Sequence, residues 1–175
     1  MTGDTIVVLM FAVIVGVAAT VTMDVLGSIV RRVGFAAGAK GQWVGRWYLG
    51  IARGQFVHSD IAAAPEQAGE KRAALVGHYV IGIVLAAVYV VGARLLDVSP
   101  GGFVVAIGYG LATCVFPWFL VLPSLGFGAF GLKGPKELRL FTSSVLNHSF
   151  YGLGLWWSAK LFQLASWQGW ESALK

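Results

Sequence analysis

Three ionisable residues inside apolar stretches are the first candidates for chemistry in this chain. Asp24, His78 and His148 lie about six, four and seven residues into three predicted membrane helices, counted from the same side of the membrane. At a rise of ~1.5 Å per residue, all three lie at depths of roughly 6–11 Å. Ionisable groups in a membrane are costly and usually face a partner or a cavity. Their matched depths predict one shared polar site.

The polar stretch between the first two predicted helices adds groups near this level. The candidate metal ligands are Asp24, His58, His78 and His148, and Asp60 and Glu70 are candidates for further ligands or acid–base groups. Arg46 is a candidate counter-charge, and Tyr79, Asn147 and Tyr151 are candidate hydrogen-bond partners of the histidines. Two His and a carboxylate bind divalent ions such as Fe(II) or Zn(II) with positions left open for a substrate. Two His on different helices are also the ligands of a haem b.

Two further interpretations of these residues stay open. In the first they form a structural polar network, in which Asp24 pairs with Arg31, Arg32 or Arg46 and locks the first helix to the segment that follows. In the second, Asp24 lines a path for protons or a small solute. The chain has no HExxH, Walker, GxSxG or CxxC motif, so no catalytic residue is assigned.

The composition indicates a chain whose surface faces lipid. The sequence is 57% hydrophobic and 12% charged, and its mean hydropathy is +0.75. A soluble domain is about half apolar and about a quarter charged. The net charge of +5 comes from basic residues that segregate by loop rather than forming one patch, which argues against a nucleic-acid partner.

Four apolar stretches predict an all-α integral membrane protein with a single transmembrane domain. The predicted spans are about 6–25, 74–93, 103–122 and 141–164, each close to the ~20 residues that cross ~30 Å of hydrocarbon. The connecting segments 28–73 and 125–140 contain ten of the thirteen Lys and Arg residues. The positive-inside rule then places these segments in the cytoplasm and both termini in the periplasm.

Local patterns predict four structural details. Aromatic and arginine residues within Trp43–Asp60 are spaced for an interfacial helix with guanidinium groups toward phosphate. Pro117 predicts a kink in the third span. Close helix packing is predicted at the small residues Gly82, Ala86, Gly108, Ala112, Gly152 and Gly154. An aromatic belt is predicted at Trp156, Trp157, Trp167 and Trp170.

A family resemblance rests on short elements spread over about residues 10–160. They are Met23-Asp24, Arg31-Arg32, Val44-Gly45-Arg46-Trp47, Gly54-x-Phe56-x-His58, Gly69-Glu70, Gly77-His78-Tyr79 and Asn147-His148. In order and spacing they resemble the bacterial membrane family called domain of unknown function 2938. The resemblance implies a short multi-span inner-membrane protein and no particular reaction. Members tend to carry a further His after the Gly-Arg-Trp element, where this chain has Leu49-Gly50-Ile51, which implies a smaller ligand set.

Together these patterns predict a multi-pass protein of the bacterial inner membrane with a buried His/Asp site near the cytoplasmic face. One hypothesis gives this site a divalent metal. A second makes the chain an accessory subunit without chemistry, in contact with other membrane subunits or with copies of itself. A third gives it haem b or a path for protons or a small solute. In all of them the lipid bilayer is a partner, and no substrate is indicated.

Overall fold

The computed structural model describes residues 3–34, 38–135 and 137–165. Every regular element in this part of the chain is helical, which confirms the all-α prediction. The helices are α1 (Gly3–Arg32), α2 (Gly41–Ile51), α3 (Glu70–Leu95), α4 (Phe103–Ala112), a π-helical turn (Pro117–Val121), α5 (Leu122–Ser124), a 3₁₀ turn (Ala129–Gly131) and α6 (Glu137–Ala165).

Three helical stretches are long and apolar enough to cross a membrane. They are Ile6–Arg32, Glu70–Leu95 and Phe103–Ser124, and they correspond to the first three predicted spans. The first span extends seven residues beyond its predicted end at residue 25. The fourth predicted span, 141–164, is not among the candidates, so the described residues contain three apolar spans and the prediction of four is corrected.

The fourth helix differs from the others because polar residues interrupt it. α6 is 29 residues long, but its sequence includes Asn147, His148 and Lys160 as well as several serines. Between residues 140 and 159 none of its side chains is exposed. A helix whose side chains are at most partly exposed needs little lipid-compatible surface, so hydropathy does not identify it as a span.

The exposed surfaces of α1 and α3 are strongly apolar. Their exposed side chains recur every three to four residues and include Leu9, Met10, Val13, Val17, Val21, Leu75, Val76, Val80, Val84 and Val88. Soluble proteins rarely expose contiguous apolar patches of this kind. Large apolar side chains outside and small residues inside are the arrangement expected for helices that face lipid.

The chain forms two compact units. Unit 1 comprises the described residues of Met1–Leu26, Tyr79–Ala112 and His148–Lys175. Unit 2 comprises those of Gly27–His78 and Thr113–Asn147. The division falls inside the long helices α1, α3 and α6.

Small residues let the helices of unit 1 approach closely. A Cβ placed on Gly16 of α1 would lie 2.7 Å from the Ile83 Cα of α3, and one on Gly152 of α6 would lie 2.7 Å from the Ala106 carbonyl oxygen of α4. Gly154 of α6 packs against α1 in the same way. The packing predicted at Gly82, Ala86, Gly152 and Gly154 is therefore confirmed.

The predicted packing position on α4 is wrong by two residues. Nothing lies within 4 Å of a Cβ placed on Gly108, and Ala112 is exposed. Gly110 makes the close contact instead, because its Cβ would lie 2.8 Å from the Gly152 Cα of α6. The sequence predicted a close contact through small residues of α4, but the residue that makes it lies on a different face of the helix.

Tyrosine hydroxyls tie α3 to the other elements of unit 1. Tyr79 of α3 donates to the Asp24 carboxylate of α1 at 3.3 Å. Tyr151 of α6 donates to the Gly82 carbonyl at 2.6 Å, and Tyr109 of α4 to the Leu85 carbonyl at 2.7 Å. Tyr89 of α3 donates to the Pro100 carbonyl at 2.7 Å. In an apolar surrounding these bonds satisfy the phenols and hold the helices together.

The tryptophans predicted to form a belt are used inside unit 1 where the structure describes them. Trp157 donates from Nε1 to the Thr22 hydroxyl of α1 at 2.9 Å, and the Trp156 ring meets the Phe103 ring edge-on with centroids 5.3 Å apart. Trp167 and Trp170 lie outside the described residues. Both described rings are half-buried helix contacts.

In unit 2, the predicted interfacial helix ends earlier than expected. α2 stops at Ile51, and Gly54, with φ of +80°, turns the chain into an extended segment. This segment lies alongside the C-terminal end of α5. The His58 N–H donates to the Ser124 carbonyl at 2.8 Å, and the Ile61 N–H donates to the Leu125 carbonyl at 3.1 Å. The core of unit 2 consists of Trp47, Ile61, Leu122, Leu125, Phe127 and Leu140.

The third candidate span is interrupted near Pro117, as predicted. α4 ends at Ala112, and Phe116 N–H donates to the Thr113 carbonyl at 3.1 Å in a tighter turn. Pro117 has no N–H for that carbonyl and its ring would clash with it, which breaks the regular ladder. A π-helical turn then carries the chain into α5.

Candidate functional site

A buried ion pair joins α2 to α3 in unit 2. Arg46 Nε lies 2.8 Å from Glu70 Oε2, and Arg46 Nη2 donates to Glu70 Oε1 at 3.2 Å. The two side chains are 3% and 8% exposed. This two-point geometry is the strong form of a guanidinium–carboxylate contact. Because α2 precedes the loop 52–69 and α3 follows it, the ion pair holds the two ends of this loop together.

Arg46 uses its remaining donors on the same loop. Its Nη1 donates to the Ile61 carbonyl at 3.0 Å and to the Ala64 carbonyl. Glu70 also accepts from the Gln67 N–H at 3.2 Å. The hydrogen bond to Glu70 raises the pKa of the Arg46 guanidinium above its usual value. Both charged groups are therefore engaged by protein groups.

The glycine before Arg46 is needed for this contact. A Cβ on Gly45 would collide with the Glu70 carbonyl oxygen and lie 2.9 Å from the Ala74 backbone nitrogen. Any side chain at position 45 would push α2 away from the first turn of α3. The Gly45-Arg46 element is thus explained by close helix approach and a buried charge pair, rather than by the predicted interfacial orientation.

In unit 1, Asp24 is held by Tyr79. The hydroxyl of Tyr79 donates to Asp24 Oδ2 at 3.3 Å, and both side chains are half-buried. The bond connects two helices that are apolar enough to cross a membrane. A carboxylate in this position is expected to have a named partner, and the phenol is one. This places a predicted ligand and a predicted hydrogen-bond partner together.

His58 is buried in unit 2 with a free ring nitrogen. Its side chain is 5% exposed, and Nδ1 has no hydrogen-bond partner. Gly50 of α2 faces the ring, because a Cβ there would lie 3.3 Å from His58 Cε1. A buried polar atom without a partner is rare and unfavourable. His58 is therefore the predicted ligand with the clearest capacity for a further contact.

The other predicted residues are distributed over both units. His148 and Tyr151 belong to unit 1, and Tyr151 donates to the Gly82 backbone. His78 and Asn147 belong to unit 2. Asp60 is exposed in unit 2, and its Oδ1 accepts from the Ala62 N–H at 2.9 Å, which is a local turn.

A metal centre is not shown by this arrangement. Among the residues that the structure describes, no group of three or more His, Cys, Asp and Glu side chains could hold a metal ion. The assignment of Asp24, His58, His78 and His148 as ligands stays a prediction, and so does the haem alternative.

A polar cluster at the end of α1 was not predicted from the sequence as a site. A Cβ on Gly27 would lie 2.7 Å from Asn147 Oδ1 and 3.2 Å from Arg31 Nη1. Ser143, one turn before Asn147 on α6, is 3% exposed, and its Oγ has no hydrogen-bond partner. The spacing Ser143-x-x-x-Asn147, which puts two polar side chains on one helix face, is the signal that could have identified it.

Comparison with known proteins supports the family resemblance. A search of curated proteins and a search of solved structures found no match. The model of a family described as a protein of unknown function (DUF2938) matches residues 13–162. That match covers most of the chain, including both units, and it agrees with the elements on which the resemblance was based. This chain belongs to the DUF2938 family.

Proposed function

We propose that this chain is an integral protein of a bacterial cytoplasmic membrane, with segments 28–73 and 125–140 in the cytoplasm, and that it serves as a non-catalytic subunit of a membrane complex. Three helices long and apolar enough to cross a membrane support its membrane character. The observation that carries the non-catalytic role is the engagement of Arg46 and Glu70 by protein groups.

Charge distribution supports the orientation. The segments that form unit 2 contain ten of the thirteen Lys and Arg residues but four of the eight Asp and Glu residues. Lysine and arginine are retained on the cytoplasmic side of bacterial membrane proteins. Unit 1 contains the apolar middle of α1 and most of α3, which suits the hydrocarbon layer.

Within this proposal α6 lies in the membrane layer although its sequence is polar. Its unit 1 portion contacts α1 through Gly154, α3 through Tyr151 and α4 through Gly152. Its polar side chains thus meet protein rather than lipid, which removes the cost that hydropathy assigns to them. Both ends of the chain then lie on the periplasmic side.

The polar groups that could do chemistry are used to hold helices together. Arg46 and Glu70 join α2 to α3, and Asp24 and Tyr79 join α1 to α3. Buried charge pairs that are fully hydrogen-bonded specify structure, and removing one partner is costly. This pattern supports a subunit whose polar interior is structural.

An exposed apolar surface on unit 2 fits a neighbouring membrane subunit. Phe56 and Val57 are 61% and 66% exposed, and they lie outside the three candidate spans. They lie in the loop between Arg53 and Gln67, whose side chains hydrogen-bond to each other. Adjacent exposed apolar residues on a polar unit mark an interaction surface.

Sizing of the protein after gentle detergent extraction tests this role. We expect the wild-type chain to elute in a particle larger than the 18.6 kDa monomer with its detergent belt. The variant Phe56→Ser/Val57→Ser should release the monomer. Leu132→Ser is the matched control, because Leu132 is 63% exposed in the same unit.

Two results would contradict the proposal. A wild-type chain that elutes as a lone monomer would exclude a stable subunit role. An unchanged particle size in Phe56→Ser/Val57→Ser would exclude this surface as the contact.

A divalent metal at His58 is the second candidate function, favoured by the buried Nδ1 without a partner. Metal analysis of the purified protein tests it, with His58→Leu, His78→Ala and His148→Ala as variants. Stoichiometric metal that is lost in these variants would support the candidate. Without a ligand at Nδ1, His58→Leu should change the free energy of unfolding by less than about 1 kcal/mol, and no metal should be found.

A further inference from the structure

The chain folds back along the third candidate span soon after that span ends. The span ends at Ser124, and residues 126–134, called the Phe130 loop below, follow it in unit 2. The Phe130 ring centroid lies 4.9 Å from that of Phe119 and 5.3 Å from that of Trp118. Both partners lie more than one helical turn before the end of the span. The tip of the loop is therefore level with the last turns of the span rather than beyond them.

The backbone at the tip of the Phe130 loop adopts left-handed conformations. Phe130 has φ of +57°, and Gly128 and Gly131, before and after it, have φ of +68° and +78°. This region is unfavourable for a residue with a side chain as large as phenylalanine. A third ring contact, to Phe141 with centroids 6.2 Å apart, completes the surroundings of Phe130. Its aromatic contacts with the span therefore offset a strained backbone.

The Phe130 loop pairs much of its own backbone. Four consecutive N–H groups donate to carbonyl oxygens within the loop at 2.8 to 3.2 Å, and the donors are Gly131, Leu132, Lys133 and Gly134. An unpaired backbone N–H is costly in lipid. Because these four are paired, the loop can lie at the boundary between headgroups and acyl chains, where its other polar groups still reach water.

The exposed side chains of the loop continue the apolar surface of the span. Phe119 and Leu120 are exposed on the span, and Leu132 is 63% exposed on the loop. The half-buried Phe130 joins the two, because its ring contacts that of Phe119. Phe119 and Leu120 belong to a stretch that is apolar enough to cross a membrane, so lipid is the natural cover of their surface. Continuity extends the same cover to the loop.

A lysine follows the apolar part of the loop. Lys133 is exposed, and its Cγ and Cδ lie 3.2 and 3.3 Å from the position of a Cβ on Gly128. The methylene groups of its side chain thus lie along the loop backbone. Lysines at a membrane surface pack their methylene groups in this way and keep the ammonium group in the polar layer, where anionic headgroups attract it.

From these contacts we propose that the Phe130 loop is inserted into the lipid leaflet in which the third span ends. Leu132 and the exposed part of Phe130 contact acyl chains, and Lys133 lies among the headgroups. Segment 125–140 stays on the cytoplasmic side, with this part of it in the membrane surface. The inference rests on the membrane character proposed above, but it does not depend on the subunit role.

Spin labels on single cysteines measure the depth of the loop in the full chain, reconstituted in vesicles of phosphatidylcholine and phosphatidylglycerol. The one native cysteine is first removed by Cys114→Ala. Leu132→Cys then carries the label on the loop, and Leu120→Cys is the reference in lipid. Ala63→Cys is the reference in water, because Ala63 is exposed in the same unit and lies outside the candidate spans. Collisions with oxygen, which concentrates in hydrocarbon, and with a water-soluble nickel chelate report the depth.

We expect the oxygen-to-nickel collision ratio at position 132 to be severalfold higher than at position 63 and close to that at position 120. All three residues are exposed, so the labels leave the buried packing intact. A ratio at position 132 equal to that at position 63 would overturn the inference. Few collisions with either reagent at position 132 would also overturn it, because protein rather than lipid would then cover the loop.

Phe130→Gly tests whether the ring holds the loop at this depth. Glycine adopts a φ of +57° without strain, so the variant removes the ring contacts and keeps the backbone conformation accessible. We expect the ratio at position 132 to fall toward the value at position 63, whereas Phe56→Gly, at an exposed phenylalanine of the same unit, should leave it unchanged. An unchanged ratio in Phe130→Gly would overturn the role of Phe130. Because the labels report lipid contact in a monomer as well, this result is independent of the sizing experiment on Phe56 and Val57.

Discussion

At the scale of single residues, burial separates side chains that look alike in the sequence. Arg46 and Arg53 lie in the same stretch of aromatic and basic residues, and both are predicted from the sequence to point toward lipid phosphate. Arg46 is 3% exposed and bonded to Glu70, whereas Arg53 is exposed and bonds Gln67 at the surface. The spacing of arginines along a helix indicates their face only when the helix ends and neighbours are known. Here α2 packs its arginine against α3.

The buried pair predicts a large loss of stability when its carboxylate is removed. Glu70→Gln leaves the Arg46 charge buried without a counter-charge, and we expect the free energy of unfolding to fall by about 3–5 kcal/mol. The double variant Arg46→Met/Glu70→Leu should recover most of it, because an apolar pair carries no unpaired charge. Denaturation in mild detergent measures both.

Arg53→Met provides the control for that experiment. Because its side chain is exposed, this variant should change stability by no more than about 0.5 kcal/mol. A Glu70→Gln protein as stable as the wild type would show that the Arg46–Glu70 pair does not hold α2 to α3.

At the scale of elements, small residues decide how closely the helices approach. On α4 the sequence offers Gly108 and Gly110, and hydropathy does not distinguish them. Gly110 faces α6, where a Cβ would lie 2.5 Å from the His148 carbonyl oxygen, while Gly108 faces open space. The regular helix ends at Ala112, before the break at Pro117. The orientation of α4 around its own axis is set by its packing against α3 and α6.

This difference predicts opposite effects for two similar substitutions on one helix. Gly110→Ala inserts a methyl group into a close backbone contact and should cost about 1–3 kcal/mol. Gly108→Ala meets nothing within 4 Å and should leave stability equal or slightly raised. Thermal unfolding of the two variants in the same detergent measures the difference. Equal melting temperatures would refute the assigned face of α4.

At the scale of the whole molecule, the hydropathy of α6 argues against a membrane span, whereas its burial is compatible with one. Hydropathy identifies three apolar stretches among the described residues. α6 fails that criterion, but between residues 140 and 159 it exposes no side chain. Polar residues that are covered by protein do not oppose membrane insertion of an assembled bundle. Whether the two ends of the chain lie on the same side of the membrane depends on whether α6 crosses it.

A fusion experiment decides between these possibilities. If α6 crosses the membrane, alkaline phosphatase fused after residue 175 should reach the periplasm and be active, while the same enzyme inserted after Gly134 should be inactive. A fluorescent protein at the two positions should give the reverse pattern, because it fluoresces only in the cytoplasm. An inactive phosphatase at the C-terminus would limit the chain to three spans.

The sequence alone determined the fold class, the first three apolar spans, the kink at Pro117 and the family, because hydropathy, proline chemistry and short motifs are local properties. It named Arg46 and Glu70, Asp24 and Tyr79 as polar residues of interest, but it could not pair them. Arg46 and Glu70 are 24 positions apart in the chain, and Asp24 and Tyr79 are 55 positions apart, so their pairing depends on the tertiary structure. The end of α2 at Ile51 and the burial of α6 are likewise set by packing between distant segments, so only the tertiary structure decided them.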